Sequence, residues 1–254
     1  MRGKGKIREA KIPFVVPALA DLPDRLDAVL TVVYLVFHEG YAASSGAVLT
    51  RPDLSHEAIR LGRILVEMLP DAETLGLLAL MLLHDSRRLA RASDAGDLIL
   101  LDQQDRTRWN QAQIAEGVDW VRQAVAMPPI GSYAIQAAIA SVHAQASEAG
   151  QTNWREIVVW YDLQLRANPS PIVELNRAVA VAMRDGPQVG LLLIDAILER
   201  GDLADYHLAY AAKADMLRRL ERYDAARVTY RLALERTQQE PERRFIEQRL
   251  RDIS

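Results

Sequence analysis

Through most of the chain, apolar residues recur at the three- and four-residue steps that place side chains on one face of an α-helix. Leu26, Val29, Leu30, Val33 and Phe37 make one such stripe, and Leu54, Ala58, Leu61, Leu65 and Met68 make the next. Leu75 to Leu83 is an apolar run flanked by Asp71, Glu73, Asp85, Arg87 and Arg88, which predicts a buried helix. The run is too short to span a bilayer, which takes ~20 residues. Strand patterns are scarce. Ile12 to Val16 contains Pro13 and Leu98 to Leu101 is short, so both read as extended linkers.

Capping chemistry falls where these helices should begin and end. Pro70-Asp71 opens a helix, Asn153 with Glu156 resembles a capping box, and Ser170-Pro171 suits N-cap and N1. Gly186-Pro187 stops one helix and starts another. The pattern predicts about eleven helices, near 22–41, 53–69, 71–91, 103–126, 131–148, 153–167, 171–185, 188–199, 206–220, 223–236 and 240–252.

The second half carries an internal repeat. Ala178, Val181, Gly190, Ile194 and Ile197 recur 36 residues later as Ala214, Leu217, Ala226, Tyr230 and Ala233. Small residues twelve apart let two antiparallel helices approach closely while the larger ones fill the next pair. That is the logic of a tetratricopeptide repeat, with its period of ~34 residues. A looser unit precedes it around Ala140, His143, Ile157 and Tyr161, and helix 240–252 would make a polar end cap. The composition seam Met127-Pro128-Pro129-Ile130-Gly131 divides the chain. The fold class expected is therefore all-α, an N-terminal helical bundle over 14–130 packed on a tetratricopeptide-like helical-hairpin solenoid over 131–254. Residues 1–13 form a basic tail ahead of both.

Composition narrows the function classes. Half of the 254 residues are hydrophobic, enough for a substantial core, and the net charge is −3. A chain whose whole surface served nucleic acid would be far more basic. Only Lys4, Lys6, Lys11 and Lys213 are lysines, so the arginine excess reads as a GC-rich genome. The absence of cysteine excludes disulfides, thiolate catalysis and thiolate metal sites. Met1 to Lys11 lacks the apolar core of a signal peptide, and a cytoplasmic location is expected.

Enzymatic signatures are missing: there is no G-x-S-x-G, H-E-x-x-H, phosphate-binding Gly-rich loop or G-x-G-x-x-G. No catalytic residue, cofactor or metal is expected. The sharpest constellation joins His38-Glu39 at one helix end to His84-Asp85 at another. Together they could hold a divalent metal, but helix capping is the preferred reading. A second cluster, Gln103 to Arg106 with Trp109, follows Arg87, Arg88 and Arg91 and suggests exposed salt bridges. Candidate partner- or ligand-binding residues are His38, Glu39, Tyr41, His84, Asp85, Arg87, Arg88, Gln104, Asp105, Arg106, Tyr133 and Gln136.

Several strings in order carry a resemblance: I-R-E-A-K-I-P-F (7–14), L-P-D-R-L-D-A-V-L (22–30), Y-L-V-F-H-E-G-Y (34–41), E-A-I-R-L (57–61), G-L-L-A-L-M-L-L-H-D (76–85) and Q-D-R-T-R-W (104–109). Y-A-I-Q-A-A-I-A (133–140), P-S-P-I-V-E-L-N-R-A-V-A (169–180) and P-E-R-R-F (241–245) continue it. Together they resemble the tetratricopeptide-containing C-terminal extension of bacterial extracytoplasmic-function sigma factors, over essentially the whole chain. His38 stands where that family usually has Asn, and Asn153 where it usually has Asp.

The resemblance implies a regulatory, protein-interaction domain acting in transcription initiation, with sigma domains and the RNA polymerase core as partners. Promoter DNA would be reached only through sigma domains that no segment of this chain provides, and no membrane is implicated. Weak, non-selective DNA binding is expected of the chain itself, through Arg2, Lys4, Lys6, Arg8 and Lys11. The alternative is a small-molecule or metal sensor, with His38, Glu39, His84, Asp85, Gln104 and Tyr133 lining a polar pocket between the two halves.

Overall fold

The structure, a computed structural model, describes residues 22–41, 51–93 and 96–253; the basic tail and the Ile7–Phe14 string lie outside them. The described residues fold into eleven α-helices: α1 (Leu22–Tyr41), α2 (Pro52–Met68), α3 (Ala72–Asp85), α4 (Gln111–Val125), α5 (Ser132–Gln145), α6 (Trp154–Ala167), α7 (Pro171–Asp185), α8 (Pro187–Glu199), α9 (His207–Arg219), α10 (Tyr223–Arg236) and α11 (Glu240–Asp252). Among these residues the sole β feature is an isolated bridge between Ala92 and Leu98. The fold is all-α.

Helix α3 is the axis of the first half. Asp71 caps it, one carboxylate oxygen accepting the Glu73 and Thr74 N–H groups at 2.8 and 3.0 Å. Its residues Leu75 to Leu83 are buried on every face, and α1, α2, α4 and α5 pack around it. Gly76 sets the closest approach: a Cβ there would lie 2.4 Å from the Ala134 backbone nitrogen at the start of α5. The Glu73 carboxylate accepts the N–H groups of Tyr133 and Ala134, each at 3.1 Å, so α3 also supplies the cap of α5. Extensive contact thus crosses the Met127–Gly131 seam.

Beyond α5 each helix packs chiefly on the next, from α6 through α11, which is the contact pattern of stacked hairpins. All ten residues of the 36-residue repeat are buried. Gly190 lies against α7, where a Cβ would meet the Ala182 Cβ at 2.3 Å. Gly186, at φ 105°, ends α7 in a conformation only glycine adopts freely, and Pro187 starts α8. Pro171 occupies the first turn of α7, although the Ser170 side chain makes no capping bond. Asn153 does cap α6, accepting the Glu156 N–H at 3.3 Å.

Two predicted helices are shorter than their patterns. The segment 71–91 is α-helical only to Asp85, where the Ser86 hydroxyl donates back to the Leu83 carbonyl at 2.8 Å; a 3₁₀ turn at Arg88–Ala90 follows. The segment 103–126 becomes an α-helix only at Gln111. Asp105 accepts the Thr107 N–H at 3.0 Å and Asn110 the Gln113 N–H at 3.1 Å. These local bonds give the backbone two separate starts, a 3₁₀ turn at Arg106–Arg108 and then α4.

Candidate functional site

Ending α3 at Asp85 and turning the chain through Arg88–Ala90 leaves His84 and Arg87 facing the second half of the molecule. There they border a cavity of about 530 Å³. Its N-terminal wall also holds Tyr34, Leu80, Leu83, Leu101 and Trp109. The opposite wall comes from α5 (Ser132, Gln136, Ile139, His143), α6 (Tyr161, Gln164) and the start of α7 (Ile172, Val173, Asn176). Its volume is that of a small-molecule site.

The electrostatics are one-sided. Burial, then Arg87 and Arg91, hold the His84 imidazole well below its ordinary pKa. Burial, then Arg87 and Arg106, bring His143 down to about 4. Both rings are therefore neutral at neutral pH, each with one donor and one acceptor nitrogen. Burial pushes the Tyr161 hydroxyl up to about 12. The Ser132 hydroxyl accepts the side-chain amides of Gln136 and Gln164, each at 3.3 Å, joining α5 to α6. Among the described lining residues none is Asp or Glu.

Of the candidate binding residues named from the sequence, His84, Arg87 and Gln136 line the cavity. Tyr41 lies behind them, its ring 5.0 Å from that of His84, with the Arg87 and Arg91 guanidinium carbons 5.8 and 3.4 Å from its centroid. Arg91 also donates to the Tyr41 carbonyl. Tyr133 meets Tyr34 ring to ring at 5.6 Å. His38 is exposed, 6.1 Å from the Tyr34 ring, and Glu39 is partly buried beside it.

The remaining candidates serve the fold. Asp85 is buried and accepts the Gln113 amide at 3.0 Å, while Arg88 approaches it at 3.4 Å. Gln104 donates to the Ile99 carbonyl at 3.1 Å. Asp105 caps a turn, and Arg106 donates to the His143 and Ala146 carbonyls at 2.7 and 2.6 Å while lying 4.4 Å over the Trp109 ring. The exposed salt bridges expected of this cluster are thus replaced by carbonyl and capping bonds. A metal at His38-Glu39 and His84-Asp85 finds no support. Among the described residues no three ligand-type side chains converge. Asp85 is held toward α4, and the arginines beside His84 repel a cation.

His143 and Tyr161, which the sequence placed in a looser repeat unit, and Gln164 line the cavity as well. Their signal was faint: His143 between Val142 and Ala144, and Gln164 at helical spacing from Trp160 and Tyr161.

A second feature lies on the outside of the bundle. Helices α1 and α2 flank an apolar groove of about 550 Å³ lined by Val29, Val32, Ile64 and Leu65. Val32 and Leu35 are each 60% exposed and Met68 is 63% exposed. Leu35 and Met68 lie on the same two helices, outside the groove's lining.

Residues 25–125 match the model of a family of unknown function (DUF6596). That stretch runs from α1 to the end of α4 and includes the groove, His84 and Arg87. Over 234 residues, 92% of its length, the chain is 41% identical to an uncharacterized protein of Rhizobium meliloti (strain 1021). It spans 55% of that relative's length. Among the described residues no helix is long and apolar enough to cross a membrane.

Proposed function

We propose that this chain is the regulatory, protein-binding extension of an extracytoplasmic-function sigma factor, acting in transcription initiation through contacts with sigma domains or the polymerase core. The observation that carries the reading is the exposed apolar face of α1 and α2. Burying one such side chain contributes about 1.5–3 kcal/mol, so several together suit a protein partner. The ordered sequence motifs agree, and the matched relative is long enough to hold further domains outside the matched region. The hairpin array adds a surface suited to a helix or an extended peptide. A truncation series in a promoter-reporter assay tests it. Removing residues 14–254 from the protein that carries them is expected to change promoter activity or its regulation; unchanged activity and regulation contradict the proposal.

A second reading is a small-molecule sensor, favoured by the cavity between the two halves. The two are compatible, since a ligand that stabilises the packing of α3 on α5 and α6 would alter what the outer face presents.

A further inference from the structure

Arg87 is the one charged side chain among the described residues lining the cavity, and none of those residues is a carboxylate. Its described contact is the Tyr41 ring at 5.8 Å. The neighbouring arginines differ. Arg88 sits on Asp85, Arg91 on the Tyr41 carbonyl, and Arg106 on two carbonyls at the end of α5. Carbonyls satisfy hydrogen bonds without cancelling charge, so Arg87, Arg91 and Arg106 leave a positive field at this seam. A guanidinium facing a cavity wall without carboxylates is available to an anionic ligand.

A second observation is independent of charge. Trp109, 5% exposed, forms part of the cavity wall. The rest of the wall is largely aliphatic and aromatic: Leu80, Leu83, Ile139, Ile172, Tyr34 and Tyr161.

We infer that this cavity binds a small organic carboxylate with an aromatic or aliphatic body, held by Arg87. A planar guanidinium matches a carboxylate bidentately. The neutral imidazoles of His84 and His143 can each donate one further N–H, and the apolar wall takes the ligand's body. One uncommitted cation suits a monoanion better than a phosphate dianion, and the same field disfavours amines and metal ions. This inference rests on the sensor reading of the cavity and is independent of the sigma-factor reading.

The test uses the intact chain, with calorimetry and thermal shift against benzoate, phenylacetate, indole-3-acetate and hexanoate, each at up to millimolar concentration. The corresponding amides and phenyl phosphate are run alongside. At least one carboxylate is expected to bind and raise the melting temperature, with its amide at least ~10-fold weaker, the loss of one charge-assisted contact. Arg87→Gln should weaken the carboxylate by a similar factor and Arg87→Lys by less, because charge survives without the fork. Exposed Arg108→Gln is the control with unchanged affinity. Ligand-free melting curves of each variant separate folding from binding. Amides binding as tightly as acids, or full affinity in Arg87→Gln, overturn the carboxylate while leaving a neutral-ligand sensor standing. Preference for phenyl phosphate overturns the monoanion, and silence of the whole panel overturns the inference outright.

Discussion

The two halves of the molecule bury their cores by different logics. In the first, α3 contacts α1, α2, α4 and α5, so one helix holds together segments more than a hundred residues apart in sequence. In the second, α6 to α11 pack mainly on their immediate neighbours, and small residues such as Ala178, Gly190, Ala214 and Ala226 set the spacing. The first arrangement concentrates stability in one element; the second distributes it. The cavity lies where the two meet, walled by the hub helix on one side and by the start of the hairpin array on the other.

The sharpest way to break this comparison is a pair of large-to-small substitutions. Leu82 and Ile194 are both fully buried, and either change to Ala costs about 2–5 kcal/mol at its site. Leu82→Ala is expected to lower hydrogen-exchange protection across α1 to α5. Ile194→Ala should loosen only α7 to α10. Equal spread of the two effects in an exchange experiment would erase the distinction.

Gly76→Val comes next, at about 1–3 kcal/mol, because the added atoms meet the α5 backbone rather than a side chain that can move. Chemical denaturation should show the loss, and Gly96→Val, where nothing lies within 4 Å but φ is +79°, should cost strain without separating helices.

A pH titration probes the seam itself. His143 is held at about 4 in the folded chain against an ordinary value of 6.5. As pH falls through that window the unfolded chain takes up the proton first, so stability present above pH 6.5 is lost toward pH 4. The loss is on the order of 2 kcal/mol after allowing for the partial exposure of the ring. Burial lowers His84 in the same direction. A His143→Gln variant should flatten this part of the stability profile; an unchanged profile would place the dependence elsewhere. The smallest effect is Asp71→Ala, about 1 kcal/mol in thermal melts, from the loss of the cap that starts α3.

Much of the fold was legible because local chemistry and tertiary packing agree. The apolar run from Leu75 to Leu83 could only be a buried helix, and Asp71, Asn153, Gly186 and Pro187 mark boundaries where the structure has them. Residues 103–110 misled because their polarity fits a helix while Asp105 and Asn110 offer the backbone nearer bonds. The candidate site was half legible. His84 and Arg87 announce themselves as polar residues closing an apolar helix. His143, Tyr161 and Gln164 join them only because the chain folds back at the Met127–Gly131 seam, a long-range event that periodicity does not encode.

We propose that the α1–α2 face engages a protein partner in transcription, and one double variant tests this most directly. Val32→Glu with Leu35→Glu places two charges on residues each 60% exposed, where folding loses little. The measurement is promoter-reporter activity of the protein that carries this chain, with the melting temperature of the variant chain as its companion. Reporter activity or its regulation is expected to be clearly altered, with the melting temperature within a few degrees of the parent. Unaltered reporter behaviour in a stably folded variant would contradict it.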